Sequence, residues 1–118
     1  MNDKNFIETY FDIFHKKALN SNIYKELILL KKMIIQTKKK NGKVILIGNG
    51  GSSAIASHIS VDLNKAVGIK SMNFNEYDLI TCLSNDFGYE NWVAKAIDYH
   101  LDKNDLTIII SSSGNSQN

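Results

Sequence analysis

Lys43-Val44-Ile45-Leu46-Ile47-Gly48-Asn49-Gly50-Gly51-Ser52-Ser53 is a strand-like run that passes straight into a glycine-rich turn, and a helix-like stretch follows at once. Three glycines give the backbone conformations closed to other residues and let a ligand approach the main chain. The first N–H groups of the following helix have no partner within it, which favours an anion such as phosphate at the turn. The arrangement recurs near the end of the sequence. There Leu106-Thr107-Ile108-Ile109-Ile110 leads into the hydroxyl-rich Ser111-Ser112-Ser113-Gly114-Asn115-Ser116. Two such loops at the carboxyl ends of parallel strands predict a site for a phosphorylated ligand.

Outward from the first loop, the apolar spacing predicts alternating elements. A helix from about Ser52 to Ala66 presents Ile55, Ile59, Leu63 and Ala66 to the core, and Ile69–Phe74 reads as a short strand. Tyr77 to Leu83 reads as a short helix ahead of a turn at Asn85-Asp86-Phe87-Gly88. Tyr89 to Leu101 forms another helix that packs Trp92, Val93, Ala96 and Ile97, and Asn104-Asp105 turns the chain into the last strand. This β-α-β-α-β order predicts an α/β fold with a parallel sheet. Two helices precede it. Asp3 to Leu19 carries Phe6, Tyr10, Ile13 and Phe14 on one face. The second follows Asn20-Ser21-Asn22, carries Ile23, Leu27, Leu30 and Ile34, and ends at Asn41-Gly42, where Gly42 suits a left-handed C-cap. Ile108-Ile109-Ile110 is apolar on both faces, the pattern of a strand inside a parallel sheet with neighbours on both sides. The sequence stops where a covering helix should begin, so a truncated domain is expected.

Composition narrows the function classes. Of 118 residues, 43% are hydrophobic and 22% charged, and 14 Lys+Arg against 12 Asp+Glu leave a net charge of +2, too small to point to nucleic acid. The run Lys38-Lys39-Lys40 falls at a predicted helix end, where it complements the helix dipole. Cys82 is alone, which excludes an internal disulfide, suits a reducing cytosol and, among apolar neighbours, reads as a packed thiol. Met1-Asn2-Asp3-Lys4 opens an amphipathic stretch and not a signal peptide, and no run reaches the roughly 20 apolar residues of a membrane span. A cytoplasmic protein without membrane or nucleic-acid partners is expected.

Other readings of the same residues remain open at this level. Gly48-x-Gly50-x-x-Ser53 departs from the dinucleotide fingerprint at its third glycine, with only the loosely placed Glu76 as the acidic partner, so no nucleotide cofactor is expected. His58 and Asp62 lie four apart on one helix face, with Lys65 one turn on; that polar stripe is either solvated or turned toward a site, where the pair can bind a metal or share acid/base work. His15 and His100 sit near predicted helix ends and take no chemical role.

With those residues in place, the sequence resembles a sugar isomerase (SIS) domain of the phosphoheptose isomerase branch. The matching stretches are Gly48-Asn49-Gly50-Gly51-Ser52, His58, Ser84-Asn85-Asp86-Phe87-Gly88-Tyr89 and Ile110-Ser111-Ser112-Ser113-Gly114-Asn115-Ser116. The resemblance covers nearly the whole chain. It implies a three-layer α-β-α sandwich with a parallel sheet in residues 43–118, a helical pair in residues 1–41, and a single partial domain whose last strands and helices are missing. It implies an enzyme that interconverts sedoheptulose 7-phosphate and D-glycero-D-manno-heptose 7-phosphate through an enediol, feeding bacterial surface polysaccharide (lipopolysaccharide or capsule) synthesis. Asn49, Gly50, Gly51 and Ser52 would line the substrate site, Asn85 and Asp86 would contact the sugar, and Ser111, Ser112, Ser113 and Ser116 would hold the phosphate. His58 and Asp62 would be catalytic residues and zinc ligands, in a homotetramer whose active sites are shared between subunits.

Two departures accompany the resemblance. The family's catalytic glutamate is Asp62 here, and misplacing a reacting group by about 1 Å can cost about a hundredfold in rate. A second catalytic region of the family, with a glutamine and a histidine, lies beyond the segment matching Asn118. The resemblance therefore also admits a noncatalytic SIS module that binds a phosphosugar or a protein partner.

Overall fold

Four consecutive apolar residues, Val44 to Ile47, are almost wholly buried because both faces of their strand are covered. The computed structural model, which describes residues 2–118, places that strand at the centre of a three-stranded sheet. Helices α1 (Asp3–Ala18) and α2 (Tyr24–Lys39) come first. Then follow β1 (Val44–Gly48), α3 (Gly51–Asp62), β2 (Ser71–Asn73), α4 (Tyr77–Phe87), α5 (Trp92–His100) and β3 (Leu106–Ile110). The sheet order is β2-β1-β3, all parallel, with Leu46 opposite Asn73 on one side and Ile108 on the other. The chain divides into two compact units at Lys32/Met33. In the first, none of the α1 residues is buried. Among the described residues no helix is long and apolar enough to cross a membrane.

The alternation along β1 builds the layers. Ile45 and Ile47 pack with Phe74, Leu83, Trp92, Val93 and Ala96 of the α4–α5 side. Val44 and Leu46 pack with Ala56, Leu63 and Ile69 of the α3 side, joined by Ile34 from the end of α2. Each such side chain contributes about 1.5–3 kcal/mol on burial. The expected three-layer α/β sandwich is therefore observed.

Several local expectations give way to tertiary structure. The left-handed position after α2 is taken by Asn41 (φ 57°), not Gly42. Asn41 N–H donates to Lys38 and Gly42 N–H to Thr37, a Schellman closure. Position 42 needs glycine for another reason: an added Cβ would lie 2.1 Å from the Asn104 carbonyl oxygen. The buried face of α3 is Ala56, Ser60 and Leu63, and Ile55 is 51% exposed. Small residues let α3 sit close to the sheet, and the Ser60 hydroxyl is satisfied by Ser71 across the gap at 3.1 Å. Asn64 adds to that seam, its amide donating to Ser71 O and accepting from Ser71 N–H. Helix α4 runs on to Phe87, so Asn85 and Asp86 form its last turn and Gly88 (φ 87°) ends it. Cys82 is exposed, its thiol facing Asp86 one helical turn away. Ile109 is 66% exposed, because β3 pairs only with β1 among the described strands and the helices of the α5 side do not reach over it.

Asp105 holds the β1 and β3 ends together. Its carboxylate, 2% exposed, accepts from the backbone N–H groups of Lys43 and Asp102, each at 2.8 Å, and from the Lys43 ammonium. Lys43 also pairs with Asp102 at 2.9 Å. Burial pushes the Asp105 carboxyl up, but the Lys43 side-chain and backbone bonds and the Asp102 N–H together outweigh it and hold the group below its ordinary 3.8. The hydrogen bonds that the Lys43 ammonium donates to Asp105 and Asp102 hold Lys43 above its ordinary 10.5. The carboxylate's contribution is thus present above the unfolded value near 3.8 and lost as pH falls through the lower folded one. The lysine's is present below 10.5 and lost as pH rises through its raised value. Asp105→Ala should cost about 1–3 kcal/mol at pH 7, leaving the Lys43 and Asp102 N–H groups without their acceptor and the Lys43 ammonium with Asp102 as its remaining partner. Urea unfolding at pH 7 and pH 3 checks this: the variant's deficit should shrink in acid, and a deficit unchanged by pH would contradict it.

Candidate functional site

The order 2-1-3 makes the chain leave β1 toward one side and return to the other. The crossover through α3 lies on one face, and that through α4 and α5 on the opposite face. The loops after β1 and β3 therefore diverge and leave a crevice at the carboxyl ends of adjacent strands, the switch point where α/β sheets bind ligands. A cavity of about 330 Å³ occupies that crevice. Its polar wall is Asn49 and Ser52 from the first loop and Ser111, Ser112, Ser113 and Ser116 from the second; Ile47, Val93 and Ile109 form its apolar floor. Six of the ten residues expected to touch substrate line this one cavity.

The local backbone explains why these hydroxyls face outward as donors. Gly50 (φ 53°) turns the chain from β1 into α3. Ser52 and Ser53 N–H groups fold back on the Asn49 and Gly50 carbonyls at 3.0 Å, so the turn itself uses part of this helix end's donor capacity. In the second loop Gly114 (φ 67°) lets the chain curl over itself. Gly114 N–H donates to Ser111 Oγ at 2.9 Å, and Asn115 N–H to Ser113 Oγ at 3.2 Å. Each of these oxygens already accepts a bond, which leaves its O–H proton to donate. Asn49 and Asn118 exchange reciprocal amide bonds at 2.9 and 3.1 Å, tying the first loop to the segment after the second. Among its described residues the cavity wall holds no Lys, Arg, His, Asp or Glu. It is an array of neutral polar groups in which the Ser111 and Ser113 hydroxyls have a proton left to donate, as a ligand that only accepts requires.

The remaining expected site residues lie elsewhere. Gly50 and Gly51 form the start of α3 at the rim, with open space where a Cβ would be. Asn85 and Asp86 are exposed at the end of α4, bonded to one another at 3.0 Å. His58 and Asp62 pair on the outer face of α3, Nε2 to Oδ2 at 3.5 Å, with side chains 80% and 59% exposed. That face follows from the buried Ala56-Ser60-Leu63 stripe, which points the opposite way. No group of three or more His, Cys, Asp or Glu positioned to hold a metal exists among the described residues.

Residues not singled out from sequence also shape the site. Val93 and Asn118 line the cavity, and Asn75 ties the loop after β2 to α3, its amide donating to Ser53 O at 2.9 Å and to Ser57 Oγ. Val93 carried only a core signal, its place in the apolar stripe of α5, and nothing local marks Asn75 or Asn118.

Comparison with known proteins adds an independent line. The SIS domain family matches residues 15–118. The phosphoheptose isomerase of Helicobacter pylori (strain ATCC 700392 / 26695) is 33% identical over 123 residues, covering 97% of this chain and 64% of that protein. Phosphoheptose isomerase 2 of Campylobacter jejuni is 37% identical over 91 residues, or 72% of this chain and 45% of its own length. The solved structure of the phosphoheptose isomerase from Neisseria gonorrhoeae matches with a TM-score of 0.87 at 22% identity, over 98% of this chain and 64% of that one. One from Francisella tularensis matches at 0.86 and 23%, over 99% and 65%. The chain thus spans less than two thirds of the length of these relatives, and the structural likenesses, at such identities, speak to the fold.

Proposed function

The chain belongs to the SIS domain family, and on that premise we propose that it carries the phosphate-binding part of a phosphosugar aldose–ketose isomerase. The observation that carries this reading is the convergence of the two strand-tip loops on one cavity walled by neutral donors. The proposed substrate pair is sedoheptulose 7-phosphate and D-glycero-D-manno-heptose 7-phosphate, in the cytoplasm, on the way to bacterial surface polysaccharide. The Ser111–Ser113 hydroxyls, with Ser52 and Ser116, anchor the phosphate and so fix the carbon chain relative to the reacting end. Binding by oriented neutral dipoles costs no reorganisation when the ligand arrives.

In the proposed isomerisation a base removes a proton from C1 of the ketose, giving an enediol, and returns it to C2. Through the partner acid the O1 hydroxyl proton passes to O2, so that C1 becomes the aldehyde, C2 carries the new hydroxyl, and the reaction neither gains nor loses atoms. Asp62 is assigned as that base, with His58 beside it. Both stand on an exposed face, so in this reading a second copy of the chain, or residues outside it, encloses them and supplies a partner acid. Exposed Phe6, Tyr10, Ile13 and Phe14 on α1 and Ile55 on α3 support such a homo-oligomer, a tetramer in the proposal, whose mass light scattering reads. Zinc at His58 and Asp62 would have two donors of the four a tetrahedral site needs, so the described residues do not complete a zinc site and no step is assigned to the metal.

A second reading follows from the same cavity. Since no titratable side chain among the described residues lines it, the domain could bind a phosphosugar without transforming it. Titration calorimetry with inorganic phosphate and with a ketose phosphate separates the cases. Ser111→Ala and Ser113→Ala should each weaken both ligands about ten- to a hundredfold, the worth of a hydrogen bond to a charged group. Unchanged affinity in both variants would reject the phosphate site. Tight binding with no turnover by the assembled protein would select the binding module.

A further inference from the structure

A second cavity, of about 290 Å³, adjoins the first and shares Asn49, Ser116 and Asn118 with it. Its other walls are Tyr89, Glu90 and Gln117. The reciprocal Asn49–Asn118 amide pair therefore belongs to both compartments, as a bridge between them. Their chemistry differs. The first compartment holds only neutral donors and apolar side chains, whereas the second holds one charged group, the Glu90 carboxylate.

That carboxylate, on an exposed side chain, rests against the backbone at Gly88. Gly88 ends α4 with φ 87°, and a Cβ there would meet Glu90 Oε1 at 2.7 Å, Cδ at 3.0 Å and Oε2 at 3.1 Å. The carboxylate thus lies folded over the bare Cα of Gly88, and a side chain at position 88 would evict it. An ionised carboxylate accepts hydrogen bonds and donates none, so it suits hydroxyl groups and opposes a second anion.

We propose that Glu90 makes this second compartment a filter for sugar monophosphates: it accepts hydrogen bonds from hydroxyl groups along the carbon chain of a ligand whose phosphate sits in the first cavity, and its charge disfavours ligands that carry a second phosphate. The inference rests on the phosphate assignment of the first cavity and adds the class of ligand tail that the site accepts. Tyr89 adds an aromatic side chain to the lining, and the Gln117 amide can donate or accept alongside Glu90.

Three probes test it by titration calorimetry on the chain: inorganic phosphate, fructose 6-phosphate and fructose 1,6-bisphosphate. The native chain should bind the monophosphate about tenfold more tightly than the bisphosphate, the size expected for two like charges held several ångströms apart near a protein surface. Glu90→Gln keeps the shape and removes the charge. It should bring the two sugars within about twofold of each other while leaving inorganic phosphate unchanged. A mono/bis preference that persists in Glu90→Gln, beside normal phosphate binding, overturns the filter and leaves the phosphate site standing. Failure of the native chain to bind inorganic phosphate at all overturns both.

Discussion

Gly48→Ala is expected to lose phosphate binding by at least about a hundredfold and to destabilise the domain by about 1–3 kcal/mol, the usual cost of forcing atoms into a packed region. An added Cβ would lie 2.6 Å from both the carbonyl carbon and oxygen of Ser52 and 2.9 Å from the Ser52 Cβ. These are atoms of the first turn of α3, and that turn is not free to yield. Ala56, Ser60 and Leu63 hold the helix on the sheet, and Asn75 binds Ser53 O. Strand β1 is held too, by β3 along its whole length to Gly48 and by β2 as far as Leu46. The remaining response is to push Ser52 and Asn49 out of the cavity wall. Urea unfolding and phosphate titration read the two effects separately. Affinity within about twofold of the native chain would show that the first loop does not form the site.

The three glycines of this loop illustrate how far sequence carries. A strand running into Gly-Asn-Gly-Gly-Ser announces a ligand turn, but the text assigns backbone freedom to all its glycines alike. In the structure Gly48 is a close approach of backbone to backbone, Gly50 supplies a positive φ, and Gly51 opens α3 with free space around it. The element order and parallel sheet were legible because each element has its own apolar period and punctuation. The faces of α3 were not. Ile55 and Ile59 look like core, yet Ala56 and Ser60 are buried, since Ser71 of β2 satisfies the serine hydroxyl from outside the helix. That partner, 11 residues on in another element, cannot be foreseen from a local window. The extent of α4 was missed for a related reason: Asn85-Asp86 has turn composition, but Gly88, three residues past Asn85, ends the helix. The clasp of Asp105 on Lys43, 62 residues away, shows the same limit.

That reassignment of α3 bears directly on the proposed chemistry. With Ala56, Ser60 and Leu63 inward, His58 and Asp62 must face outward, where the carboxylate is open to solvent. Proton abstraction there needs a wall that excludes water. In the assembled protein Asp62→Ala should lower isomerase turnover by about a hundred- to ten-thousandfold, the range for removing a general base. Asp62→Glu, which extends the carboxylate by one methylene, should preserve turnover or raise it. Phosphate affinity should stay unchanged in both variants, because neither side chain lines the cavity. If a second copy supplies the wall, specific activity should also fall on dilution as the assembly dissociates, while phosphate binding persists. Turnover indifferent to Asp62→Ala would remove this residue from the reaction. A rate proportional to protein concentration at all dilutions would place the enclosing wall within a single copy.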